Sequence, residues 1–360
     1  MADLFDYLSW RGDLTFTQDP PNAVDALVFS SLAYLHYDDT VSLQPNQPVS
    51  LQTAAEAFFA LEDQENRIRV KNDLTLLEEA ARTRRFGECN ILFYRSALIP
   101  EEETQFAAVS FLLDDGSAFL AFRGTDYSLT GWKEDFNMSF RDEVPAQRMA
   151  LQYLQEFASS YLRPLRLGGH SKGGNLAVYA AAMCEQILQQ RILTVYNLDG
   201  PGFREKMVAD PRYLAIVPRI HTYIPQSSVV GMMLEHEEPY IVIKSKQIGL
   251  LQHETYSWEI MGKSFIPMEE ITADSRFLDQ TLKTWLADMT LEERNEVVDS
   301  LFGFLSTGEV TSAREIIQPK NIRNYLRAWR QDDKLRHTLL NEMVSLVTTA
   351  YKIQFQKEEA

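Results

Sequence analysis

Cysteine is almost missing from this chain, with Cys89 and Cys184 the only two among 360 residues. Two thiols cannot staple a protein of this size, so a disulfide framework is excluded and a reducing compartment is expected. Cations are also short: 35 Lys and Arg stand against 51 Asp and Glu, a net charge of −16. A surface that acidic repels phosphate, so the attraction on which nucleic-acid and anionic-membrane binding rely is absent. No apolar run approaches the roughly 18 to 20 residues that span a bilayer. The opening residues Met1 to Tyr7 carry acids where a secretory signal would carry lysines. Six histidines, scattered and without H-E-x-x-H or C-x-x-C, offer no zinc pattern. The Gly168-Gly169 and Gly173-Gly174 pairs are not a phosphate loop, because Lys172 precedes the second pair instead of ending the motif. The expectation is a cytoplasmic globular protein with no metal, no cofactor, no nucleic acid and no stable insertion in a membrane.

What is present reads in three textures. From Asp3 to about Arg85 the apolar spacing is helical, with Asp19-Pro20-Pro21 and Gln44-Pro45-Asn46-Gln47-Pro48 as breaks. The middle alternates. Strand patterns cover Ile91–Ile99, Phe106–Leu113 and Ala118–Phe122, the last two flanking the hairpin signal Asp114-Asp115-Gly116-Ser117. A helix around Gln147–Tyr161, a strand at Pro164–Gly168 and a small-residue helix from Gly174 to about Gln189 follow. Strands are then expected at Ile192–Leu198, Ile216–Ile224 and Tyr240–Ser245. Apolar strands alternating with helices imply an α/β fold, a mostly parallel sheet covered on both faces, with antiparallel first strands. From about Ser264 helical stripes return, among them Phe277, Leu278, Leu282, Trp285 and Leu286, then Val297, Val298, Leu301, Phe302 and Leu305. No linker composition separates these regions. They read as one domain, 1–360, with an α/β core at 88–262, a helical N-terminal extension at 1–87 and a helical region at 263–360.

The strongest chemical signal is Gly169-His170-Ser171-Lys172-Gly173, after an apolar strand and before a helix rich in Gly, Ala and Leu. A G-x-S-x-G in that context is a nucleophile elbow. Its serine sits in strained backbone geometry, and side chains two residues to either side would strike the neighbouring strand and helix. The serine oxygen then stands at a helix N-terminus, where free N–H groups favour developing negative charge. Of its neighbours, His170 points into structure, Lys172 offers its backbone N–H, and Asn175 caps or packs the first helical turn. The second signal is Ala121-Phe122-Arg123-Gly124-Thr125-Asp126, at the end of a hairpin strand. Acyl transfer needs a second oxyanion donor from such a loop, and Thr125 can give a backbone N–H and a hydroxyl.

Phe-Arg-Gly-Thr leading to Trp-x-x-Asp, then Gly-His-Ser-x-Gly-Gly with Leu-Ala, resembles the class 3 (fungal-type) lipases of the α/β-hydrolase fold. It is closer still to an uncharacterised bacterial family related to them, whose elbow reads Gly-Gly-His-Ser-Lys-Gly-Gly-Asn. The resemblance covers about residues 88–262. It implies a serine nucleophile at Ser171 and oxyanion donors at Thr125 and Lys172. It also implies a lid after the oxyanion turn, where Leu129, Trp132, Phe136 and Phe140 recur at helical spacing within 126–146.

A serine nucleophile needs a base and the base an orienting acid, in the order Ser, acid, His for this fold. His253 follows the last strand and is the expected base, with His236 the alternative. His221 is expected to be packed, and His36 and His337 lie outside the matched region. The lipases carry an Asp just after the strand that here ends at Pro225, but this chain reads Gln226-Ser227-Ser228. Asp199, one strand earlier in Asn197-Leu198-Asp199-Gly200-Pro201-Gly202, is the expected acid. It could instead organise its own turn, with Ser227 or Ser228 orienting the histidine. The acidic runs Glu101–Glu103 and Glu235–Glu238 read as solvated loops. The function expected is a serine hydrolase of a carboxylic ester, a small molecule or a lipid. The alternatives are a binding or regulatory protein with a degenerate triad, or an acyltransferase.

Overall fold

The computed structural model describes residues 2–316 and 318–356. The chain clusters into two compact units. The first runs to Ala97 and adds Phe106–Gly124 and Pro145–Ile271; the second comprises Leu98–Gln105, Thr125–Val144 and the chain from Thr272 onward.

An eight-stranded sheet organises the first unit: β1 (Val49–Ser50), β2 (Asn90–Ile99), β3 (Thr104–Leu112), β4 (Ala118–Phe122), β5 (Leu165–His170), β6 (Ile192–Leu198), β7 (Ile220–Pro225) and β8 (Tyr240–Ile243). They lie side by side in chain order. β1 pairs antiparallel with β2 and β3 with β4. From β4 to β8 every pairing is parallel, with α-helices in the crossovers as far as β7 and a 3-10 turn, Val230–Met232, between β7 and β8. The α/β-hydrolase reading of the sequence therefore holds. β4 is buried along its whole length because both faces are covered, which is why its sequence is continuously apolar.

The two covering layers come from different parts of the chain. Pro145–Ser160, Lys172–Met183 and Pro211–Ile216 pack on one face, around Leu120, Leu167 and Val195. The N-terminal helices cover the other, where Leu27, Phe29 and Leu32 meet Phe111, Phe119 and Tyr196. The central helix of that layer, Ala23–Leu32, is buried all round. Asn22 caps it by accepting the Val24 N–H at 2.9 Å, and Asp25 returns the bond to the Asn22 N–H. Asp25 also takes both Nε and Nη2 of Arg85, at 2.7 and 2.6 Å, and the Tyr7 hydroxyl at 2.8 Å.

Some expected boundaries move. The small-residue helix expected to run to about Gln189 ends at Met183, and a separate short helix, Gln186–Gln189, follows. The strand anticipated from Ile216 begins at Ile220, because Asp210 accepts the Arg212 N–H at 2.8 Å and Pro211 opens a short helix, Pro211–Ile216.

In the second unit Leu129 and Phe140 form a small core with Val298, Phe302 and Val310. The short helix Leu129–Asn137 is latched there by Lys133, whose Nζ lies 2.7 Å from both Glu103 and Asp299. Of the four residues read as an amphipathic cover, Leu129 and Phe140 are thus core, while Trp132 and Phe136 remain exposed. Among the described residues no helix is long and apolar enough to cross a membrane.

Removing one member of a buried charge pair leaves the other uncompensated. Arg85→Met should therefore cost about 3–5 kcal/mol of stability, read as a lowered urea midpoint with an unchanged slope.

Candidate active site

At the end of β5 the chain turns sharply. Ser171 has φ 59° and ψ −136°, a region that side-chain-bearing residues avoid. The Lys172–Met183 helix starts at the next residue. The turn closes because its glycines touch backbone: a Cβ on Gly169 would fall 2.2 Å from the Gly173 carbonyl carbon. One on Gly173 would fall 2.1 Å from the Phe122 oxygen.

β5 and β6 are in register with His170 opposite Leu198, so the residues that follow, Ser171 and Asp199, emerge together at the sheet's C-terminal edge. The Ser171 N–H donates to the Leu198 carbonyl at 2.9 Å. Asp199 also has a positive φ, 54°, and its N–H donates to the Tyr223 carbonyl at 2.8 Å. Its carboxylate is fully buried. One oxygen lies 2.6 Å from His253 Nδ1; the other accepts the Ser228 hydroxyl at 2.5 Å. Ser228 in turn accepts the Gly231 N–H at 3.0 Å. Bonding to a carboxylate assigns the imidazole proton to Nδ1 and leaves the Nε2 lone pair free. The His253 side chain is 29% exposed and Ser171 is half-buried. Among the described residues no hydrogen bond joins Ser171 Oγ to His253.

The turn after Asp199 is built from amides. Asn197 Oδ1 accepts the Gly200 N–H at 3.0 Å. Asn175 packs as expected: its Nδ2 donates to the Gly202 carbonyl at 2.8 Å, and Gln147 donates to its Oδ1 at 2.8 Å. Gly124 lies against the elbow, since a Cβ there would fall 3.0 Å from the Ser171 Cβ. Thr125 follows it directly in the chain and gives its hydroxyl proton to Asp135 at 2.8 Å, so that hydroxyl is engaged elsewhere. The Lys172 side chain is buried.

His170 is buried and points into structure, as read from the sequence. Its Nε2–H donates to the His253 carbonyl at 2.8 Å and its Nδ1 accepts the Tyr34 hydroxyl at 2.8 Å. The two imidazoles lie 4.4 Å apart, centroid to centroid. Burial, reinforced by His253 and Arg69, pushes the His170 pKa well below its ordinary value.

Two readings change in part. Glu235 and Glu237 are exposed as expected, but Glu238 is buried and accepts from Tyr213 at 2.6 Å and Thr222 at 2.7 Å. His236 pairs with it at 3.0 Å, away from Asp199's ring partner. His221, expected to be packed, stacks its ring on Tyr196 at 5.7 Å between centroids but is otherwise exposed on β7. The sequence reading gave neither Tyr34 nor Arg69 any part in the site. They lie in the helical N-terminus, and no local motif marks a residue whose partner is more than 130 positions away.

Gly231→Ala would set a methyl 2.3 Å from the inner Asp199 oxygen. The low-field proton resonance expected of His253 Nδ1–H in the native protein should disappear in this variant, as in Asp199→Asn. His170 should also shape acid stability. Below about pH 6.5 the unfolded chain binds a proton at this position and the folded chain does not. Its contribution to stability therefore begins to be lost as pH falls below about 6.5 and goes on falling toward the lower folded pKa, and urea unfolding at several pH values should show a shallower acid slope for His170→Asn.

A family model described as Mbeg1-like matches residues 80–303, more than half of the chain. Among solved structures, one titled as the crystal structure of M37 lipase is similar at 17% identity and a TM-score of 0.38, covering 57% of this chain and 68% of that one. No curated protein matches. The family match spans the sheet from β2 onward and the elbow, and the chain belongs to the Mbeg1-like family.

Proposed function

We propose that this chain is a serine hydrolase of carboxylic esters, in which Ser171 is the nucleophile, His253 the base and Asp199 the acid that orients it. The observation that carries this reading is the 2.6 Å bond between His253 Nδ1 and the buried Asp199 carboxylate. It leaves Nε2 as an acceptor on a loop beside the strained serine turn. Nε2 takes the Ser171 proton as Oγ attacks the ester carbonyl. The imidazolium then returns the proton to the leaving alkoxide, and an acyl-enzyme remains. Water, activated the same way, releases the acid.

The Asp199 charge stabilises the imidazolium and holds its tautomer; it need not take the proton itself. The oxyanion that forms on attack is assigned to the backbone N–H of Lys172, at the start of its helix. The reaction written this way draws on no cofactor. The acyl chain and the alcohol of the ester are not specified by these residues, so lipid esters and small esters both fall within the class.

One observation favours the rival reading of a binding protein on a hydrolase scaffold: Ser171 and His253 share no hydrogen bond among the described residues. Catalytic bonds often tighten only with substrate, so chemistry decides. A fluorophosphonate probe should label the protein and fail to label Ser171→Ala. Asp199→Asn should lower kcat on a short acyl ester by about 10³–10⁴-fold while the fold stays intact. A folded protein that resists the probe, or an Asp199→Asn variant as active as the parent, would overturn the triad. Acyl transfer uses the same groups and would be seen as a transfer product in place of free acid.

A further inference from the structure

Four consecutive residues of the loop that carries His253 are tied to the N-terminal helical segment. The His253 carbonyl is held by His170, which Tyr34 holds in turn. Glu254 accepts two guanidinium nitrogens of Arg69, at 2.7 and 2.6 Å. Thr255 Oγ1 accepts the Ser31 hydroxyl at 3.3 Å. The Tyr256 hydroxyl donates to Asp73 at 2.7 Å. The anchors are themselves connected: the Arg69 guanidinium lies 4.6 Å from the Tyr34 ring centroid, and Asp73 accepts the backbone N–H of Arg69 at 2.9 Å.

We infer that Arg69 and Tyr34 are positioning residues for His253, setting its ring from the main-chain side while Asp199 sets it from the side-chain side. This rests on the reading of Ser171, His253 and Asp199 as a hydrolytic site. Residues Gly249–His253 form a short 3-10 turn, which has no ladder of its own to fix a ring. A base displaced by about 1 Å can lose about a hundredfold in rate. The clamp removes that freedom.

Each anchor acts by its own chemistry. Tyr34 donates to Nδ1 of His170, which leaves the His170 proton on Nε2, the tautomer able to donate to the His253 carbonyl. A protonated His170 would set a second cation against the imidazolium formed in catalysis; its burial and the Arg69 charge oppose that. Arg69 also balances the charge of Glu254, the residue next to His253. Burial works against that carboxylate, but the Arg69 bonds and charge outweigh it and hold its pKa below the ordinary glutamate value. Left without Arg69, Glu254 would favour a charged His253. Among the described residues Asp199 and His170 contact the His253 ring, and the next residue, Glu254, carries Arg69.

The test is the rate at which a fluorophosphonate labels Ser171 from about pH 5 to 9, with thermal unfolding measured in parallel. Arg69→Met should slow labelling by about 10–100-fold and move the acid limb of the profile to higher pH. Arg69→Met with Glu254→Gln removes both charges and should return the limb to its original place without restoring the rate. Arg69→Lys keeps the charge but loses the two-pronged bond, so its limb should stay while its rate falls. Tyr34→Phe should slow labelling several-fold with no shift of the limb. If Arg69→Met does not fold, Arg69→Lys and Tyr34→Phe decide alone. Folded variants that label at the wild-type rate with an unmoved limb would overturn the clamp. So would losses that track only the unfolded fraction, as expected for Arg11→Met, whose ion pair with Asp19 lies elsewhere in the same segment. A wild type that is not labelled fails earlier, and removes the hydrolytic reading itself.

Discussion

A carboxylate with no exposure to water persists only when each of its oxygens is met by a donor. Asp199 satisfies that condition with one bond to His253 and one to Ser228. Much of the surrounding architecture follows. Gly231 must be bare because it lies on the inner oxygen. Ser228 must be a hydroxyl residue because it accepts the Gly231 N–H and donates its own proton to the carboxylate. Asp199 must take a left-handed backbone to leave β6 toward the loop that carries His253. The parallel register of β5 and β6 then brings Ser171 to the same edge.

The parts of this arrangement legible in the sequence are those written in local sterics. Strands buried on both faces show as apolar runs, and the elbow shows because glycine is needed at Gly169 and Gly173, where backbone meets backbone. Asp199 is legible as a carboxylate at a strand end because it stands directly before Gly-Pro-Gly. Ser228 was weaker: a serine in a Gln-Ser-Ser stretch says little until its partner is known. The role of Glu238 was hidden for the same reason, since an acidic run looks solvated unless Tyr213 and Thr222 are known to close over it. The late start of β7 came from a local signal, Asp210-Pro211, that was outweighed by apolar residues.

The N-terminal helices fall at the other extreme. Their spacing reveals helices, and nothing in it reveals what they touch. Arg69 and Glu254 are 185 positions apart, and neither belongs to a motif. The layer they build covers one face of the sheet, so the segment outside the lipase resemblance supplies half of the sheet's covering. The stripe at 126–146 shows the same limit: helical spacing of Leu129 and Phe140 is common to covers and cores, and here those two side chains meet Val298 and Phe302.

The second unit is assembled from three separated stretches, and that has a bearing on synthesis. By the time Ile271 has left the ribosome, every segment of the sheet-bearing unit exists and can collapse. The pieces at Leu98–Gln105 and Thr125–Val144 must wait, because Val298 and Phe302 have not yet been made. For that interval Leu129 and Phe140 are apolar side chains in search of a surface. The final helices close a loop of well over a hundred residues, which makes their docking the slow, non-local event of folding.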